Sequence, residues 1–231
     1  MTSYFLSHSN TTESLILFFN GWAMDKAAVE HMDTPQGYDL LCCQDYRSLL
    51  SGSDIDIIKK DYRRLHLVAW SMGVWAAERL YLHGTIPPPD SAVAIAGTPI
   101  PMHDSLGIPP LLFRATLNGL SEENRERFNR RMCGSRSLRH LFDSLAKRPL
   151  DEIKQELREV YEWSRNHIAE AEQFSLPWTA ALVPMKDKII PPINQQTYWQ
   201  HKNVPVVEIP RGEHYLFNDI TQWSQLIRDF S

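Results

Sequence analysis

A chain of 231 residues with 43% hydrophobic content is long enough for one domain around a sizeable core. A formal net charge of −4 and a sequence pI near 6.1 exclude a general attraction to nucleic acid or to an anionic membrane surface. The opening MTSYFLSHSN lacks the basic and apolar regions of a signal peptide, and the longest apolar runs are only strand length; a cytoplasmic protein without a membrane span is expected.

Residues 15–19 (LILFF) are continuously apolar and predict a buried strand, which runs into the loop Asn20-Gly21-Trp22-Ala23-Met24-Asp25. Residues 38–43, entered through Gly37, predict a second strand carrying Cys42 and Cys43, whose side chains alternate between faces. With Cys133 these make three cysteines, an odd count without regular spacing. That argues against a disulfide framework or a zinc site and for buried free thiols. Residues 65–70 (LHLVAW) predict a third strand, followed by a helix over 73–83 with Val74, Ala77, Leu80 and Tyr81 inward and Gly84 as its stop. Further strands are predicted at 91–96 (SAVAIA), 178–183 and 204–209. A last helix opens near Asp219 or Thr221 and carries Trp223, Leu226, Ile227 and Phe230 on one side. Strands apolar on both faces, alternating with helices, predict an α/β chain with a mostly parallel sheet covered on both sides.

Between about 104 and 174 the strand signal disappears. Helical stretches are predicted instead at 110–120, 122–132 and about 151–172, with Ser121 followed by Glu122, Glu123 and Asn124 as a helix start. This predicts a helical lid inserted into a single domain spanning 1–231.

The sharpest chemical signal is Ala69-Trp70-Ser71-Met72-Gly73, between a predicted strand and a predicted helix. A serine on such a turn presents its hydroxyl at the carboxyl edge of the sheet, as in the G-x-S-x-G elbow of α/β-hydrolases, with Ala69 here in place of the first glycine. An ordinary serine helix cap fits the same five residues. A nucleophilic serine needs a base and the base needs an orienting acid, which in this fold follow in the order serine, acid, histidine. Asp187 follows the strand at 178–183, and His214 follows the strand at 204–209. Ser71, Asp187 and His214 are therefore the expected triad, with Asp219 as the reserve acid. The expected oxyanion donors are the N–H of Met72 and that of Trp22, with Gly21 supplying unusual backbone angles; Trp22 also fits a pocket wall. No metal or cofactor is expected.

Between residues 105 and 150 stand nine Lys/Arg against four Asp/Glu, a basic segment in an acidic chain. Arg127, Arg130 and Arg131 fall at i, i+3 and i+4, hence on one helix face. The face fits either a solvated surface or a dock for an acidic partner; without interleaved aromatics it makes a poor nucleic-acid site. Leu106, Ile108, Leu111, Leu112, Phe113, Leu117, Phe128 and Phe142 provide lid packing or an acyl channel.

The segments FNGWAMD, VAWSMGVWAAERL, PMHDSLGIPP, RRMCG, MKDKIIP and GEHYLF resemble the BioG-type pimeloyl-[acyl-carrier protein] methyl ester esterases of biotin synthesis, across essentially the whole chain. The alanine before Trp70-Ser71 is characteristic of that group. The resemblance implies hydrolysis of a methyl ester at the end of a pimeloyl chain on acyl carrier protein, with release of methanol. It also implies an acidic partner for Arg127, Arg130 and Arg131. A monomer is expected. A general carboxylesterase or acyl thioesterase with the same triad is the alternative, and a non-catalytic relative acting as a binding protein is another.

Overall fold

The computed structural model describes residues 1–9, 11–48, 52–134 and 148–230. Seven strands form one sheet: β1 (Thr2–Ser7), β2 (Ser14–Phe19), β3 (Asp39–Gln44), β4 (Arg64–Trp70), β5 (Ser91–Ile95), β6 (Ala180–Pro184) and β7 (Val206–Ile209). Their spatial order is β1-β3-β2-β4-β5-β6-β7, parallel throughout except for the β1–β3 pair. Every residue of β2, β5 and β6 is buried, as continuous apolar runs in a two-sided parallel sheet require.

The described helices are α1 (Gly52–Asp61), α2 (Met72–Leu82), α3 (Pro110–Asn118), α4 (Glu122–Cys133), α5 (Leu150–Asn166), α6 (Ile168–Ala171), α7 (Pro192–His201) and α8 (Trp223–Arg228). Helix α2 packs on β4 and β2, and α8 on β5 and β4. Beneath the carboxyl edge Trp70, Phe217 and Trp223 are fully buried, with Trp70 and Phe217 in edge contact at a centroid distance of 5.3 Å. Among the described residues no helix is long and apolar enough to cross a membrane.

Three features depart from the sequence expectation. Strand β1 was not foreseen, because TSYFLS pairs on one side only and stays half buried, without the apolar run of an inner strand. Strand β6 starts at Ala180, after Trp178, whose indole N–H reaches back 2.7 Å to Glu78 of α2. The helix expected over 151–172 breaks at His167 (φ −126°, ψ 36°), and Glu170 of the following turn accepts from Arg79 at 3.2 Å.

The inserted helices are fastened to the loop after β3 by buried charge. Arg148 donates to Glu156 at 2.8 Å, Glu156 accepts from the Tyr46 N–H at 3.0 Å, and Arg148 lies 3.4 Å from Asp45. Arg125 of α4 donates to the Arg148 carbonyl at 2.8 Å. Burial pushes the Glu156 carboxyl up, against the charge of Arg148. Such a group is tolerable only because each member is paired.

Candidate active site

Strand β4 ends at Trp70 and α2 begins at Met72, leaving Ser71 to make the whole turn at φ 56° and ψ −121°. A positive φ costs a serine energy, and the strain is held by the packing on either side. The Ser71 N–H donates to Ile95 O of β5 at 2.9 Å. A Cβ on Gly73 would lie 2.3 Å from Phe19 O, and one on Gly97 would lie 2.6 Å from Ser71 O. Backbone therefore meets backbone on both flanks of the turn. Ala69, where a glycine often stands, lies within β4 between Phe19 and Ala94 and is fully buried; its methyl fits as an ordinary strand side chain.

The loops after β6 and β7 bring the two other expected residues to this serine. His214 Nε2 lies 2.8 Å from Ser71 Oγ, and His214 Nδ1 lies 2.8 Å from Asp187 Oδ2. The partners assign the tautomer: an ionised carboxylate only accepts, so Nδ1 carries the proton and Nε2 is open to accept the serine proton. His214 is 1% exposed and Asp187 7%. Trp70, one residue before the serine, donates its indole N–H to His214 O at 2.9 Å, which ties the histidine loop to the elbow. Asp219, the reserve acid, lies on the surface away from this chain of contacts.

The Asp187 carboxylate is held from four directions. Oδ1 accepts from the Ile189 and Ile190 amides at 2.7 and 3.0 Å, in the segment leading into α7. Oδ2 accepts from His214 and from the side-chain amide of Gln195 at 2.8 Å. Gln195 escaped the sequence reading, because nothing in its spacing distinguishes it from any polar residue on a helix. Only the packing of α7 over the β6 loop turns it inward.

Gly21 differs from expectation. It does not have a positive φ; the left-handed residue of its loop is Ala23, at φ 65°. Gly21 is needed for close approach, since a Cβ there would lie 3.0 Å from the Trp70 ring. The loop is braced by Asn20, whose side chain accepts from Gly21 N and donates to Asp25 O, both at 2.9 Å, and by the Tyr46 hydroxyl, which donates to Asn20 O. The Trp22 indole donates to Ile153 O of α5 at 2.8 Å. Among the described residues its backbone N–H meets no acceptor, and the Met72 N–H, first in α2, has none within its helix. Trp22, Met72, Ser71 and His214 line one cleft, roofed by Ile108, Leu112, Phe113 and Phe128. Of the other apolar residues of this segment, Leu117 is buried and Leu111 is 71% exposed, while Phe142 lies outside the described residues.

The three arginines expected to form a docking face on α4 separate. Arg127 pairs with Glu123 at 2.5 Å and Arg130 with Glu126 at 3.2 Å, each one turn back on the same helix. Arg131 lines the cleft with Lys188, which lies 3.7 Å from Glu213. Arg125 and Arg148 are buried in the charged group beside the loop after β3, and Arg136, Arg139 and Lys147 lie outside the described residues. The exposed basic face of this helix is therefore narrower than the residue count implies. The reason is that Glu123 and Glu126 share the surface at helical spacing.

The sequence model of the family described as Pimeloyl-ACP methyl esterase BioG matches residues 1–226. A malonyl-[acyl-carrier protein] O-methyltransferase of Bacteroides fragilis is 40% identical over 202 residues, covering 87% of this chain but 39% of that protein. The crystal structure of BioG from Haemophilus influenzae superposes with a TM-score of 0.84 at 39% identity, over 98% of this chain and 100% of that one. A bromoperoxidase from Bacillus anthracis shares the fold at TM-score 0.68 and 17% identity, over 94% and 90% of the two chains. With its mostly parallel sheet and the match over nearly its whole length, the chain is a hydrolase of the α/β-hydrolase fold and belongs to the pimeloyl-ACP methyl esterase BioG family.

Proposed function

We propose that the chain is a serine esterase that hydrolyses the methyl ester of pimeloyl-[acyl-carrier protein], giving pimeloyl-[acyl-carrier protein] and methanol in biotin biosynthesis. The observation that carries this reading is the run of two 2.8 Å contacts from Ser71 Oγ through His214 to Asp187, at the base of an apolar cleft. As Oγ attacks the ester carbonyl, His214 Nε2 takes its proton. The Trp22 and Met72 N–H groups receive the oxyanion. The proton then passes from Nε2 to the methoxy oxygen, and methanol leaves. Water attacks the acyl-serine, giving a proton to Nε2 that returns to Oγ as the acid departs. Asp187 holds Nδ1–H throughout.

Family membership supports the substrate, and the apolar roof suits a chain of methylenes. In this reading residues 104–174 are the lid. The acidic carrier docks on the basic side of α4, with Arg131 at the cleft contributing more than the paired Arg127 and Arg130. The test is methanol release from methyl-pimeloyl carrier protein, with Ser71→Ala as control. Serine-dependent methanol release faster than thiol release from a matched thioester supports the reading. Faster cleavage of the thioester would make the chain a thioesterase with the same machinery.

A further inference from the structure

We propose that Gln195 is a positioning residue of the catalytic acid: its side-chain amide locks Asp187 into the orientation that His214 needs. The inference rests on the triad reading above. Gln195 lies in the first turn of α7 and is fully buried. Its Nε2 donates to Asp187 Oδ2 at 2.8 Å and to Ile190 O at 2.9 Å. Both partners only accept, so the amide can be seated one way round; the flipped rotamer would set oxygen against oxygen twice. Its Oε1 consequently finds no partner among the described residues. A buried carbonyl without a donor costs stability. A methionine would fill the same volume without that cost, so packing alone does not account for a glutamine here.

The contact falls on a significant atom. Oδ2 is also the atom that accepts from His214 Nδ1, whereas the backbone amides of Ile189 and Ile190 hold Oδ1. The amides fix one end of the carboxylate, and Gln195 fixes the plane of the other. It also divides the charge of Oδ2 between two donors, which limits how strongly the carboxylate draws on the imidazole proton. Helix α7 is itself keyed to the serine side. Trp199 donates its indole N–H to Gly97 O at 3.0 Å, and Gly97 packs on the Ser71 backbone. One helix thus registers the acid against the nucleophile. The charged groups around the pair are Lys188 and Glu213 on the two loops and Arg131 from α4, and the substitutions below leave all three in place.

The test is Gln195→Met, with kcat and KM for a p-nitrophenyl ester measured across pH and the low-field proton resonance of the His214–Asp187 contact recorded. Removing one donor from Oδ2 strengthens its hold on the imidazole proton. The acid limb of kcat/KM then moves to higher pH, the resonance moves downfield, and kcat falls roughly 10-fold or more with KM little changed, the scale seen when an orienting partner is lost. A pH profile and resonance that superpose on those of the unaltered protein overturn the proposal. Gln195→Glu serves if the methionine variant does not fold. Protonated, it can still donate to Asp187; ionised, it sets two carboxylates together, so its activity relative to the unaltered protein falls as pH rises. A constant ratio overturns the proposal. Fluorophosphonate labelling of Ser71 separates the two levels. Labelling with an unmoved profile removes the role of Gln195 alone, whereas full turnover by Ser71→Ala removes the triad and this proposal with it.

Discussion

The Trp22 indole N–H donates to the carbonyl of Ile153, 131 residues further along the chain, at 2.8 Å. One is in the loop after β2, the other on the helix over the cleft. The same tryptophan that lines the cleft with Ser71 is thus fastened to α5 through its side chain. Trp22→Phe keeps the ring and its edge contact with Phe128 at 5.1 Å but removes this bond. We expect kcat to fall several-fold with KM little changed, and stability to fall by about 1 kcal/mol. The loss stays small because Ile153 O remains within α5. A change confined to KM would mean that the loop shapes binding and not the transition state.

Ser71→Ala and His214→Ala should each lower kcat by roughly 10⁴-fold or more, and Asp187→Asn by roughly 10³- to 10⁴-fold, because an amide in place of the acid permits the wrong histidine tautomer. Thermal melting should show that the first of these leaves the fold intact. Single-turnover kinetics on a p-nitrophenyl ester checks the series. Ordinary turnover by any one of the three would remove that residue from the mechanism.

Gly73→Ala tests the elbow by crowding it. The added Cβ would press on the carbonyls of Phe19 and Asn20, at 2.3 and 2.8 Å, and neither can move without shifting the loop that carries Trp22. A stability loss of about 1–3 kcal/mol is expected, with a larger proportional loss of turnover. Wild-type values for both, from denaturant melts and rates on one preparation, would show that the approach is looser than 2.3 Å implies.

Charge reversal separates the arginines. Arg131→Glu should slow turnover of a carrier-linked ester far more than Arg127→Glu or Arg130→Glu, because the last two already face Glu123 and Glu126. Exposed pairs of this kind contribute little to stability, so the three variants should melt alike. All three should spare a small free ester. Equal losses on both substrates would point to disrupted packing of α4 over the cleft.

Glu78 makes stability depend on pH. It is buried in α2, accepting from Trp178 Nε1 at 2.7 Å and Leu176 N at 3.0 Å, and burial holds its carboxyl above the ordinary value of 4.5 against those bonds. The folded state therefore holds this proton more tightly than the unfolded chain. The resulting stability is complete below 4.5 and is lost as pH rises through the raised folded value. Glu78→Gln should flatten that segment of the curve of melting temperature against pH. An unchanged slope would show that other groups set it.

Some of this architecture follows from local rules. Apolar runs such as LILFF and SAVAIA can be stable only as covered strands. A serine between a strand and a helix, followed later by an acid and a histidine after two further strands, has its topology constrained by parallel connections. The pairing of Glu123 with Arg127 and of Glu126 with Arg130 was also legible at i, i+4, and it narrows the basic face. What only the tertiary structure decided are contacts across distant segments with no pattern in either partner. Gln195 turns toward Asp187 because α7 packs over the β6 loop. Trp22 meets Ile153 because the inserted helices fold back over the sheet edge, and Gly21 is a glycine because the Trp70 ring lies against it. Periodicity encodes which face of an element is buried. It does not encode which residue of another element that face will meet, since that depends on how whole elements pack.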